Sequence, residues 1–129
     1  MRRPWISVIV VMIGLTGSSL AMSQTPDPNS IRQPKPTPAL NLGKMNYQVY
    51  CASCHGKTTE GTDKGPTFLH RVYHPGHHSD QAFYSAPIKG ARAHHWQFGD
   101  MKPVEGITED KLNSIVPYIR AVQKENGLF

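Results

Sequence analysis

The feature that most limits what this chain can become is the pentapeptide Cys51-Ala52-Ser53-Cys54-His55. Two thiols separated by two residues and followed at once by an imidazole form the attachment signature of a c-type haem. The spacing has a physical reason. Residues three apart on a helix are neighbours, so positions 51 and 54 present both sulfurs to the two vinyl groups on one edge of a porphyrin, where thioethers form. His55, next in the chain, is then turned so that its Nε2 points at the iron from one side.

Size and composition are compatible with that cofactor. At 129 residues the chain has room for one domain. The formal net charge of +5 falls to +3 once Arg2 and Arg3 are set aside with the leader described next, too weak a bias to argue for nucleic acid. Both cysteines of the chain lie in the pentapeptide. The part left to fold is small and buries a thin core. A large, flat, apolar cofactor at its centre offsets that deficit.

Met1-Arg2-Arg3, the apolar run Trp5 to Leu15 and the small polar stretch Thr16 to Ser23 have the layout of a secretory signal peptide over residues 1–23. Ala21 and Ser23 fit the −3 and −1 positions of a cut after Ser23, and a cut after Ala21 also fits. The apolar run is shorter than the ~20 residues that cross a bilayer comfortably. Cleavage is therefore favoured over retention as an anchor, and membrane contact arises only through an uncleaved leader. In either case the folded part is exported, to the periplasm or beyond. Residues 24–40 carry Pro26, Pro28, Pro34, Pro36 and Pro38 among polar residues and read as a polyproline or disordered tether that packs no core. The folded domain is expected over 41–129.

Within it, Asn41 is expected to cap a helix from Leu42 to Cys54, with Gly43, Tyr47, Tyr50, Cys51 and Cys54 on one face. A glycine on that face costs roughly 1 kcal/mol and is best explained by another element passing very close. The second strong helix spans Thr108 to Lys124, with Thr108 as cap and Leu112, Ile115, Val116, Ile119 and Val122 as its apolar stripe. Pro117 predicts a kink or a split. Ser79-Asp80 opens a short helix through Ala86, with Phe83 inward, Pro87 ending it and Gly90 terminating it. Nothing alternates as a strand does, so the fold class is all-α. The glycine notch on one long helix and Tyr118 on the other predict a crossed pair.

Taken in order, these residues resemble a monohaem class I c-type cytochrome from Leu42 to about Glu125. The matching residues are Gly43 and Tyr47, the pentapeptide, Gly65-Pro66-x-Phe68-Leu69, Ile88-x-Gly90, Gly99-Asp100-Met101 and Tyr118-Ile119-Arg120. The resemblance implies a small helical domain wrapped around one covalent haem c, with crossed N- and C-terminal helices that meet at Gly43 and Tyr118. It implies a one-electron carrier between redox partners. It also implies that the carbonyl of Pro66 accepts the Nδ1–H of His55, which fixes the tautomer and raises ligand basicity.

The second axial ligand is read as Met101, in a loop flanked by Gly99 and Pro103. A thioether is soft and neutral and favours Fe(II), which raises the potential. The family usually has proline directly after this methionine; here Lys102 intervenes, which loosens the loop and eases displacement of Met101 by an outside ligand. Met45 is read as core. His94 and His95 are rivals for the iron; the plainer reading gives one of them to a haem propionate and the indole N–H of Trp96 to the other.

Other chemistry was open to the same residues. Cys51, Cys54, His70 and His74 fit a two-Cys two-His zinc template, but that template wants the cysteines on a hairpin and leaves His55 and Met101 idle. A thioredoxin-like pair wants a βαβ unit that the sequence lacks. The histidines at 70, 74, 77, 78, 94 and 95 are either exposed loop residues or a copper-binding loop. Lys57, Lys64, Lys89, Arg92 and Lys102 are placed around the haem crevice, where a basic ring steers an acidic partner. No nucleophile–base pair or carboxylate dyad points to turnover. The chain reads as an electron-transfer protein, alone or as a subunit of a redox enzyme, with a ligand sensor using a labile Met101 as the alternative.

Overall fold

Thr37 sets where the first helix begins. The structure, a computed structural model, describes residues 26–129, so the expected signal peptide over 1–23 lies outside the described residues. The Thr37 hydroxyl accepts from the Leu40 amide at 3.2 Å, and Pro38 occupies the first helical position, where its missing N–H is no handicap. Helix α1 therefore spans Pro38–Tyr50. Asn41, expected as the cap, lies in its first turn, with its amide bonded to the Thr37 carbonyl at 2.8 Å. The helix also stops earlier than expected: Cys51 departs from helical geometry (φ −122°, ψ −34°) before the short α2, Ala52–His55.

The segment ahead of α1 was expected to pack no core. Instead Ile31 is 7% exposed and joins the core cluster. The Arg32 amide donates to Asn126 Oδ1 at 3.0 Å, and the Asn126 amide group returns a bond to the Arg32 carbonyl at 2.8 Å. The Tyr118 hydroxyl donates to Gln33 Oε1 at 2.9 Å. Pro28 opens a single 3-10 turn, Pro28–Ser30, and Pro38 opens α1; the residues between the prolines carry the contacts, and average composition is blind to that.

Helix α3 spans Asp80–Lys89 and α4 spans Glu109–Glu125. Pro87, expected to end its helix, lies inside α3, and Pro117, expected to kink or split its helix, lies inside an unsplit α4. Pro117 is exposed, while Ile115, Val116, Tyr118 and Ile119 on either side are buried. An interior proline costs about 3 kcal/mol; each large buried apolar side chain contributes about 1.5–3 kcal/mol, so the stripe carries the helix through. In α3 the chain continues to Gly90 (φ +81°), whose amide bonds to the Ala86 carbonyl at 2.8 Å. The Pro87 carbonyl is used from outside by the Val104 amide at 2.8 Å.

α1 packs chiefly against α4, and α3 adds to the other flank of α4. A methyl group at Gly43 would strike the Ser114 carbonyl oxygen and lie 2.8 Å from Tyr118 Cβ, so the two long helices cross at the residues the resemblance named. Met45, expected in the core, is instead 66% exposed, on the outer face of α1 with Leu42 and Val49. Among the described residues there is no strand, only an isolated antiparallel bridge between Ala91 and Met101, and no helix is long and apolar enough to cross a membrane.

The crossing also sets an alkaline limit. Burial, reinforced by the Glu60 charge, pushes the Tyr118 phenol up to about 12, and burial raises Tyr47 further still. Above the unfolded value of 10.0 the unfolded chain loses these protons while the folded one keeps them. Stability is thus complete below pH 10 and falls as pH rises through it, by about 1.4 kcal/mol per pH unit for each such proton. Denaturant melts across that range check this, and Tyr118→Phe should flatten the slope by one proton.

Candidate functional site

The pentapeptide occupies the turn where α1 gives way to α2. The backbone still hydrogen-bonds helically through the break, from the Cys51 amide to the Tyr47 carbonyl at 2.9 Å and from the His55 amide to the Cys51 carbonyl at 3.0 Å. Cys51 is half-buried, and burial, then the neighbouring Cys54, pushes its thiol up to about 12. Such a thiol is a poor nucleophile, which argues against a thioredoxin-like pair.

His55 is buried, with Nδ1 2.9 Å from the Pro66 carbonyl oxygen. A carbonyl only accepts, so Nδ1 carries the proton and Nε2 keeps its lone pair. Burial lowers the pKa of the ring, with the Pro66 bond pulling the other way, and the ligating neutral form is favoured. Phe68 stacks on the imidazole at 4.2 Å between centroids and 23° between planes. Gly65 allows the loop to close over the site, because a Cβ there would lie 3.0 Å from the Cys54 carbonyl oxygen and 3.3 Å from His55 Cε1.

These residues form part of the wall of a cavity of about 880 Å³, within the about 300–1,000 Å³ usual for cofactor sites. Phe68, Phe83, Leu112, Ile115, Val116 and Ile119 give it apolar sides. Cys51, Cys54, His55, Pro66, Trp96 and Met101 all border it. Met101 is set by its backbone, paired in both directions with Ala91 at 2.8 and 2.9 Å, and Gly90 leaves room for its carbonyl. Trp96 Nε1 is buried without a hydrogen-bond partner, although the indole lies near enough to Tyr73 to oppose the upward push that burial gives that phenol. An unpaired buried indole N–H in a cavity wall calls for an acceptor brought by an occupant. Covalent haem c fits this set: an apolar slot, two thiols on one turn, an imidazole of fixed tautomer and a donor for a carboxylate.

Of the basic residues, Lys64, Arg92 and Lys102 border the cavity, whereas Lys57 and Lys89 do not. The zinc template is not assembled. His70 Nδ1 accepts from the Val72 amide at 3.3 Å, and His74 Nδ1 accepts from the Gly76 amide at 3.0 Å. The metal-capable group among the described residues is instead His77, His78 and His95. His95 is exposed, yet local desolvation and then the rings of His94, His78, His77 and His70 hold it below the usual histidine range.

Sequence reasoning missed the buttress behind this wall. Arg120 pairs with Asp80 at 2.7 Å and donates to the carbonyls of Tyr73 at 2.8 Å and His78 at 2.6 Å. The buried Gln123 donates to the Phe68 carbonyl at 2.8 Å. A polar residue one helical turn along from Ile119 was the only signal for Gln123.

Comparison with known proteins gives one result. A family model described as Cytochrome c matches residues 40–123, while searches of curated proteins and of solved structures returned no match. Members of that family hold haem c covalently and carry electrons, and Cys51 and Cys54 fit its attachment motif. The matched stretch takes in the crossed helices, the pentapeptide and the cavity wall, and the chain belongs to the cytochrome c family.

Proposed function

We propose that the protein is an exported monohaem cytochrome that passes single electrons between redox partners, its haem joined to Cys51 and Cys54 and its iron held between His55 Nε2 and the Met101 sulfur. The observation that carries this reading is the 2.9 Å bond from His55 Nδ1 to Pro66, in the wall of an apolar cavity that Met101 also borders. Bound haem supplies the one-electron chemistry through its iron. The chain's own residues orient and tune. Pro66 makes His55 a better donor, and the thioether of Met101 favours the reduced state. The apolar walls keep water away, and Trp96 donates its indole N–H to a propionate. Lys64, Arg92 and Lys102 at the cavity steer an acidic partner, with a salt-dependent on-rate. Residues 1–23 act as the export signal.

Oxidised and reduced absorption spectra test the ligand pair. The unaltered protein should be low-spin with a methionine–iron charge-transfer band. Met101→Ala should lose the band, turn high-spin, bind carbon monoxide promptly and fall in potential by on the order of tenths of a volt. Because Met101 is anchored to Ala91 through its backbone, that substitution leaves the loop tied. A wild-type protein that is already high-spin, or a variant that keeps the band, rules Met101 out as the ligand.

A further inference from the structure

Four histidines outside the iron-ligand pair converge from two separate stretches of chain. His77 and His78 come from the turn before α3, and His94 and His95 from the loop closed by the Ala91–Met101 bridge. His77 Nε2 and His95 Nε2 are 3.2 Å apart, and ligand nitrogens of His77, His78 and His95 all lie within 4.8 Å of one another. Two nitrogens bound at about 2.0–2.1 Å to a tetrahedral ion sit about 3.3 Å apart, so the His77–His95 spacing is already close to one edge of such a site.

The tautomers suit a metal as well. His78 Nδ1 is 2.6 Å from the Val72 carbonyl oxygen, so it carries the proton and Nε2 is left with its lone pair. A ligating imidazole characteristically gives its other N–H to a carbonyl in this way. His94 repeats the arrangement, with Nδ1 2.7 Å from the Arg92 carbonyl oxygen, and its ring lies 4.3 Å from that of His95. It packs against the three-histidine group without joining it.

The scaffold is fixed beneath them. The amides of His77 and His78 bond to the His74 carbonyl at 2.8 and 2.9 Å, and Arg120 on α4 holds the His78 carbonyl at 2.6 Å. The Ala93 amide is tied to Asp100 Oδ1 at 2.9 Å. Only one hydrogen bond links the three converging rings; a cation satisfies the lone pairs that remain. Imidazoles suit copper, zinc and nickel, and copper(II) binds most tightly in that series.

We propose that His77, His78 and His95 form a binding site for a divalent transition-metal ion of the copper–zinc class, at the edge of the cavity that takes the haem. The test uses the full haem-loaded protein, in which thioether bonds remove the competing thiols. Metal-free samples are titrated calorimetrically with copper(II) sulfate and, separately, zinc chloride. One ion per chain should bind, copper more tightly than zinc. His77→Gln and His95→Gln should each weaken binding about 100-fold or more, since loss of a mere supporting partner already costs about 10–100-fold. His74→Gln should change nothing, and bound copper(II) should show nitrogen couplings in its paramagnetic resonance spectrum. Both altered residues are exposed, and the haem absorbance of each sample reports separately on folding and on the proposed iron ligands. Absence of saturable binding, or one-to-one binding that survives the His77→Gln/His95→Gln double variant, overturns the site.

Discussion

Gly43→Val should destabilise the protein by about 3 kcal/mol or more, and Gly43→Ala by about 2 kcal/mol. The groups that an added Cβ would meet are the backbone carbonyl of Ser114 and the Cβ of Tyr118, neither of which can swing aside. Relief requires α1 and α4 to separate, and with them the pairs Tyr47–Tyr118, at 5.5 Å between ring centroids, and Asn46–Ser114, at 2.9 Å. Overpacking costs about 1–3 kcal/mol and sometimes more. Alanine recovers about 1 kcal/mol of helix propensity, whereas valine recovers less and adds two further methyls. Gly99→Ala is the control. It has no neighbour within 4 Å and suffers only from its φ of +82°, a strain of about 1–2 kcal/mol. Equilibrium melts of the three variants should rank valine at 43 lowest and the Gly99 variant highest. Equal effects at the two positions would mean that the helix crossing is not the tight contact described.

The second large effect is on the Cys51→Ala/Cys54→Ala double variant. Without thioethers the haem is held by packing and axial bonds alone and should leave on extraction with acidified organic solvent. A chain that loses it must keep open or collapse a cavity of about 880 Å³. Without the haem the apolar walls at Phe68, Phe83, Leu112, Ile115, Val116 and Ile119 lose their cover; at up to about 1.5–3 kcal/mol for each large apolar side chain, the loss is comparable with the about 5–15 kcal/mol that holds a domain together. The haem-stripped variant should therefore retain helical signal while losing fixed tertiary packing, as near-ultraviolet circular dichroism would read. Cooperative melting of the stripped variant at the temperature of the parent would contradict the view that the cofactor is this domain's missing core.

The crossed pair was legible because Gly43 and Tyr118 are informative as single residues: a glycine on a helix face has few reasons to be there. The pentapeptide was legible because the chemistry demands a spacing, whereas the role of Pro66 came only from the family resemblance. Helix ends were less so. Thr37 is as good a cap as Asn41, and only Pro38 at the first helical position separates them. Pro87 did not end its helix and Pro117 did not split its own, because a proline's cost is local while the packing that outweighs it is not. Met45 misled because one apolar residue does not say which way its helix is turned; the burial of Gly43 and Tyr47 does. The sequence offered the histidine-rich stretch as a copper-binding loop but not which rings meet, since His77 and His95 come together only when the Ala91–Met101 loop folds back onto the turn held by Arg120.

A porphyrin bonded to Cys51 and Cys54 is the centre of the domain, and the mass of the intact protein purified from a host able to mature c-type cytochromes tests this most directly. One haem added to the chain, with no thiol left to alkylate, is the predicted result. A colourless protein of bare polypeptide mass carrying two titratable thiols would contradict it.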